Sequence, residues 1–211
     1  MMYTFDRVAI KAEAKQALYR QRGVLVGVTL AVLLCNLALG MLSVGLLNIL
    51  VSGVITVAAS GFFLRVWQGG TLSVTELFTS MFDESFLRNM GGMLWVRVKT
   101  FLYTLLFVIP GIIKALAYAL TPYILAEYPH VPAMEASRIS ERMMYGHKMD
   151  LFIAMLSFVG WELVSALTMN ILHVLYVGPY MELTFAGIYD EIKRLALENG
   201  AVTMEELTGE I

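Results

Sequence analysis

The sequence predicts an all-α polytopic membrane protein with six transmembrane helices in three hairpins, each preceded by an amphipathic cytoplasmic helix. Three observations predict it. Of 211 residues, 58% are hydrophobic and 15% charged, against roughly 45–50% and about 25% in soluble domains. Residues 23–64 carry no charge at all. Two later apolar stretches, 92–126 and 151–189, each exceed the ~20 residues that cross a bilayer once. Mean hydropathy is +0.71. A soluble domain of this size could not bury so much apolar surface in one core. Disorder needs low hydrophobicity and high net charge, whereas the net charge is −2. A single cysteine, Cys35, excludes a disulfide scaffold. A pI near 5.9 without a dense basic patch argues against nucleic acid as a partner.

The first segment sets Phe5, Val8 and Ala12 on one side and Arg7, Lys11 and Lys15 on another, with Gly23 at its end. It is too long and polar to lead a cleaved signal peptide. As one helix, residues 23–64 would measure ~63 Å, twice the ~30 Å hydrocarbon core. They form a hairpin that turns near Gly40, Ser43 and Gly45. The second segment, about 74–89, opens with capping-box spacing, Ser73 to Glu76. Its apolar face is Leu77, Phe78, Met81, Phe82 and Phe86, and Gly91-Gly92 ends it. A second hairpin follows, about 93–109 and 112–126, turning at Pro110-Gly111. A single kinked span over 100–126 would instead bury Lys114 near mid-membrane, at ~2.5–3.5 kcal/mol. The hairpin moves Lys114 to the far interface. The third segment starts at Pro132, with Ala136, Ile139 and Met143 on one side and Glu135, Arg138, Glu141 and Arg142 on the other; Gly146 ends it. The third hairpin is about 151–169 and 173–189. A single transmembrane domain thus covers 1–196. Residues 197–211, with Glu198, Glu205, Glu206 and Glu210, read as an acidic, mobile tail.

In this arrangement 14 of the 15 basic residues, Arg97 and Lys99 among them, fall on one face, and Lys114 alone faces the other. The positive-inside rule puts both termini in the cytoplasm and the protein in the cell membrane. The order of amphipathic helix, glycine and hairpin recurs three times. Thr121-Pro122-Tyr123 and Gly178-Pro179-Tyr180 recur late in the second and third hairpins. Internal repeats of this kind occur in transporter folds.

Several blocks have a family character. They are Val108–Tyr118 (VIPGIIKALAY) with Thr121–Glu127 (TPYILAE), Ser140–Phe152 (SERMMYGHKMDLF), Leu156–Glu162 (LSFVGWE), Gly178-Pro179-Tyr180, and Ala186–Asp190 (AGIYD). Together they resemble the bacterial integral-membrane family called domain of unknown function 975, found mainly in Firmicutes. The resemblance covers the chain, specifically over 108–190 and only in layout over the first 100 residues. It implies a small multi-pass protein of the cytoplasmic membrane, without assigned activity and without catalytic residues to carry over.

Ionisable groups inside a membrane are functional candidates. Glu162 lies about eleven residues into the third hairpin, ~16 Å at helical rise, where a carboxylate can bind a cation, relay a proton, or pair with Arg97 or Lys99. It is expected to face the bundle interior with a polar partner. Arg97 and Lys99 are expected to snorkel to the cytoplasmic headgroups. Glu182 follows the Pro179-Tyr180 break, and Pro122-Tyr123 marks a similar one; broken helices expose backbone groups that coordinate ions or substrate. Asn36, Asn48 and Asn170 are expected to bond between helices, and His173 to sit at the outer turn. No histidine pair has zinc spacing, and no phosphate loop or nucleophile elbow is present. The expectation is a non-enzymatic protein without metal or cofactor. A transport role, as small permease, channel or subunit, comes first, and a membrane scaffold that meets lipid or a partner comes second. The bilayer is the partner throughout, with anionic lipids at the basic cytoplasmic segments; a membrane-protein partner or a second copy is also compatible.

Overall fold

A computed structural model describes residues 5–42 and 45–209; Ser43, expected at the first turn, lies outside them. The described residues form helices and no strands. Among the described residues, four stretches are long and apolar enough to cross a membrane: Arg22–Met41, Asn48–Trp67, Val108–Glu127 and Lys148–Leu167.

Helix α1 (Arg7–Arg20) is capped by Asp6, whose carboxylate accepts from the Val8 and Ala9 N–H groups. Its buried face is Ile10, Ala14 and Leu18. The expected face was set half a turn away: Phe5 is buried, but Val8 is 79% exposed and Ala12 exposed. Apolar residues occur at both registers, and packing against a late helix chooses between them. Lys11 correspondingly leans inward, donates to the Ser157 hydroxyl and lies 4.5 Å from the Phe158 ring centre.

Helices α2 (Arg22–Leu42) and α3 (Leu46–Trp67) are joined through Gly45, whose φ of 92° an L side chain rarely adopts. α3 is the hub. Later helices approach it where glycine leaves room: a Cβ on Gly53 would lie 2.7 Å from the Met93 Cβ, and one on Gly61 2.7 Å from the Ala126 Cβ.

Helix α4 (Val74–Met81) is shorter than the expected 74–89. Its N-terminus is closed as expected, the Glu76 carboxylate accepting from the Ser73 N–H and hydroxyl. Asp83 then accepts from the Ser85 N–H and hydroxyl in a local turn, and α5 (Phe86–Leu106) begins. Gly91-Gly92 does not end a helix. α5 runs through both, because Gly92 is where Leu125 and Ala133 press in, at 2.9 and 3.3 Å from an ideal Cβ.

The chain reverses at Phe107, earlier than Pro110-Gly111. Pro110 is the third residue of α6 (Val108–Ala117), where its missing N–H has no intrahelical partner to lose. Gly111 lies against Thr104 across the reversal. A turn at Tyr118–Leu120 separates α6 from α7 (Thr121–Glu127), and Pro122 occupies the second position of the restarted helix. The Ala117 carbonyl, left over at the break, accepts from the Ser140 hydroxyl at 2.8 Å.

Helix α8 (Ala133–Met143) follows Pro132 and buries Ala136, Ile139 and Met143, as the spacing predicts. Gly146, at φ 90°, turns the chain into α9 (Lys148–Leu167). Met169 and Asn170 both have positive φ and close the turn after α9, so Asn170 serves the backbone rather than a neighbouring helix. Asn36 likewise donates within α2, to the Val32 carbonyl. A five-residue π-helical segment, His173–Val177, leads into α10 (Gly178–Glu198), again with proline second.

The acidic tail is not free. It forms α11 (Met204–Thr208), buries Val202 and Leu207, and pairs Glu206 with Arg142 at 3.0 Å. Two apolar residues are enough to dock a segment whose composition alone reads as solvated.

Candidate functional site

The candidate polar residues fall in separate places. Arg97, on α5, lies beside the first turns of α3. Its Nη1 donates to the Ile49 carbonyl and, at 2.9 Å, to the Ser52 hydroxyl. Arg65 is at the other end of that helix, 16 residues or ~24 Å from Ile49. Arg97 therefore does not share a headgroup layer with Arg65, as the basic-residue count supposed. α5 starts at Phe86 rather than 93 and runs antiparallel to α3, which carries Arg97 towards the α2–α3 turn.

Lys99, two residues on, points the other way. Its ammonium lies 3.4 Å from the Ser137 hydroxyl and over the rings of Trp95 and Tyr118, at 5.0 and 5.2 Å. Lys114 of α6 reaches the same place. It donates to Glu141 of α8 at 2.5 Å and lies 4.9 Å from the Tyr103 ring centre. The Lys114 hydrogen bond holds the Glu141 carboxyl below the usual range. This overturns the placement of Lys114 and Glu141 on opposite membrane faces. The reversal at Phe107 brings Lys114 back towards the base of the hairpin, and α8 lies against α5 and α6 instead of standing off in water.

Glu162 accepts from or donates to His173 Nδ1 at 3.1 Å, according to the tautomer. The expected polar partner is thus present, though it is His173 rather than Arg97 or Lys99. The Glu162 side chain is 40% exposed, so it is at the edge of the bundle rather than inside it. Trp161 beside it is exposed and 6.1 Å from the Tyr176 ring centre. His173 opens the π-helical segment, and its Nε2 lies within 3.0 Å of where a Cβ on Gly178 would be.

Tyr123 of α7 and Ser60 of α3 are buried, and Glu182 of α10 is half-buried. Tyr123 stacks on Tyr189 at 5.1 Å. Pro122 lines a groove with Arg97. Pro179 and Tyr180 are at the start of α10, Tyr180 edge-on to Phe158 at 5.4 Å. Tyr123 and Tyr180, beside the two predicted breaks, are thereby engaged in aromatic packing.

A further polar network lies outside the predicted site residues. Glu127, at the end of α7, accepts from the Tyr189 hydroxyl at 2.6 Å, Lys193 Nζ at 2.7 Å and Gln68 Nε2 at 3.3 Å. Asp190 adds a second carboxylate 3.4 Å from Lys193. The network ties the ends of α3, α7 and α10 together. Burial alone would pull the Lys193 pKa down; Glu127, Tyr128 and Asp190 together outweigh that and raise it above the ordinary lysine value. The sequence signal was available, because Tyr189, Asp190 and Lys193 have i, i+1, i+4 spacing on one helix, but their partners are some 60 residues away in the chain.

Arg88 is the other polar anchor. It donates to the carbonyls of Leu125, Tyr128 and Val131 at 2.6, 3.0 and 2.8 Å, finishing the C-terminus of α7 from a different helix.

No curated protein and no solved structure matches the chain. A family model does match, over residues 93–196, and every block that carried the family resemblance lies inside that stretch. The first 92 residues, with α1 to α4, lie outside it. Through residues 93–196 the chain belongs to the family described as Protein of unknown function (DUF975).

Proposed function

We propose that the protein is a non-enzymatic, multi-pass membrane scaffold that engages lipid through an interfacial helix, with both termini in the cytoplasm. The observation that carries this reading is the exposed apolar face of α4. Leu77 and Met81 anchor the helix in the core, whereas Phe78 is half-exposed and Phe82, the residue that ends the helix, is 78% exposed. These rings border a cleft of about 250 Å³ between α2, α3 and α4, walled by Cys35, Leu39, Val51 and Ile55. A short amphipathic helix with phenylalanines raised on one side is suited to the headgroup–acyl boundary. The dispersal of Arg97, Lys99, Glu162 and Glu182, each beside its own neighbours, also supports a scaffold over a shared conduction path. The six-span arrangement belongs to this proposal: each of the three helix pairs returns the chain to the side of Arg65, Glu127 and Lys193.

A cysteine at Phe82 bearing an environment-sensitive fluorophore tests it in reconstituted vesicles. The label is expected to emit from an apolar setting and to be quenched by shallow nitroxide lipids. Quenching by aqueous iodide instead would remove α4 from the interface and end the proposal.

One observation favours transport as a second reading. Glu162 and His173 are hydrogen-bonded at a π-helical segment, a device common at functional sites. Under this reading Glu162→Gln abolishes pH-driven uptake by proteoliposomes while leaving the elution profile of the purified protein unchanged. A scaffold gives no uptake with either chain.

A further inference from the structure

Arg97 carries a charge that the described residues do not balance. Its partners, the Ile49 carbonyl and the Ser52 hydroxyl, are both neutral, and both bind the same nitrogen, Nη1. Nε and Nη2 make no hydrogen bond among the described residues, and neither is sealed from the outside. Among the described residues no carboxylate pairs with the guanidinium. A cation in a membrane segment without a counter-charge is costly, and the planar fork of arginine is suited to binding a phosphate or carboxylate through two parallel bonds.

The surroundings define what such an anion would be attached to. Arg97 lines a groove of about 460 Å³ between α5 and α6–α7, whose other walls include Met93, Val96, Phe101, Ala115 and Pro122. Its size is within the roughly 300–1,000 Å³ of ligand sites. Among the described residues of the lining, Arg97 alone is charged. The Thr104 hydroxyl, also there, is already used on the Thr100 carbonyl. One fixed positive charge at an otherwise apolar groove matches an amphiphile with an anionic head and a hydrocarbon tail.

We propose that this groove binds an anionic phospholipid, its headgroup phosphate on Arg97 and part of an acyl chain along Met93, Val96, Phe101 and Ala115. The proposal rests on the membrane-embedded reading of the chain but not on α4, which lines a different cleft. A zwitterionic lipid fits less well, because it brings its own cation to a place that already has one.

The test uses the full chain, delipidated in detergent, with dioleoyl-phosphatidylglycerol and dioleoyl-phosphatidylcholine as probes. Retained lipid is read by native mass spectrometry and affinity by titration. The wild-type protein is expected to bind the phosphatidylglycerol about tenfold more tightly than the phosphatidylcholine, with Arg97→Gln bringing the two level, a difference of one charge-assisted hydrogen bond. Equal affinity of the wild type for both lipids, or a preference that survives Arg97→Gln, overturns the proposal. Should Arg97→Gln fail to fold, Ala115→Phe decides. Ala115 is exposed, so a larger side chain fills the groove without entering the core, and it should abolish the preference with Arg97 intact. Unchanged lipid binding by Ala115→Phe overturns the groove. Competition by inorganic phosphate alone would show a free-anion site and overturn the lipid assignment. Because α4 is untouched in every variant, a failure here is distinct from a failure of the interfacial label at position 82.

Discussion

Lys193→Met is expected to destabilise the protein by about 3 kcal/mol, the lower end of what breaking a buried pair costs. The two side chains are 14% and 20% exposed for Lys193 and Glu127, so water screens the pair only in part. Removing the ammonium leaves the Glu127 carboxylate among the Tyr189 hydroxyl and Gln68, which donate to it but cannot neutralise it. Denaturation in mixed micelles at neutral pH measures the loss. The double variant Lys193→Met with Glu127→Leu should recover much of it, because no buried charge is then left alone. A single variant as stable as the wild type would show that the network is ornamental. The pH dependence has a defined sign. The lysine pKa is raised on folding, so its contribution is fully present below about 10.5 and fades as pH climbs through the raised value. The wild type should lose its advantage over Lys193→Met in that alkaline range.

The second large effect is at Gly111. A Cβ there would lie 2.2 Å from the Thr104 Oγ1 and 2.7 Å from the Thr104 Cα. The hydroxyl can rotate away, but the Cα is backbone. Gly111→Ala must therefore push α5 and α6 apart, at the upper part of the roughly 1–3 kcal/mol that overpacking costs. Thr104→Ala should restore only a part, since the Cα remains. Gly91→Ala is the control. It is on the same hairpin, with nothing within 4 Å of the new methyl, and should be neutral or stabilising by up to about 1 kcal/mol. Mixed-micelle denaturation of the three variants distinguishes close approach from a general intolerance of the hairpin. Equal behaviour of Gly91→Ala and Gly111→Ala would refute the close contact.

The helices were legible where a local rule sets them. The capping box at Ser73 and Glu76 and the apolar spacing of Ala136, Ile139 and Met143 were read from the chain and are present. The limits of helices were less legible, because a Gly-Gly pair reads as a stop until a neighbour such as Leu125 needs the space. Lateral register was not legible at all. Hydropathy gives the length of an apolar stretch but not its height relative to the next one, and that height is what takes Arg97 away from Arg65 and joins Lys114 to Glu141. The Glu127 network is hidden for the same reason. Its members are ordinary surface residues in sequence, and only the meeting of three helix ends gives them a shared environment.

The position of α3 also has a temporal meaning. It is the second hairpin arm to be synthesised and the most enclosed of the long apolar stretches, two-thirds of it buried. Most of what encloses it, α5, α7 and α10, comes later in the chain. At about 5–20 residues per second, the ~110 residues from the end of α3 to the start of α10 take on the order of ten seconds to emerge. For that interval Trp67, which lies against Gly187 of α10, has no final neighbour, although Gly53 and Gly61 meet Met93 of α5 and Ala126 of α7 sooner. On the membrane-embedded reading proposed above, the first hairpin must be held by lipid or by the insertion machinery until α10 arrives, which makes biogenesis, rather than the finished bundle, the stage at which this chain is most exposed to error.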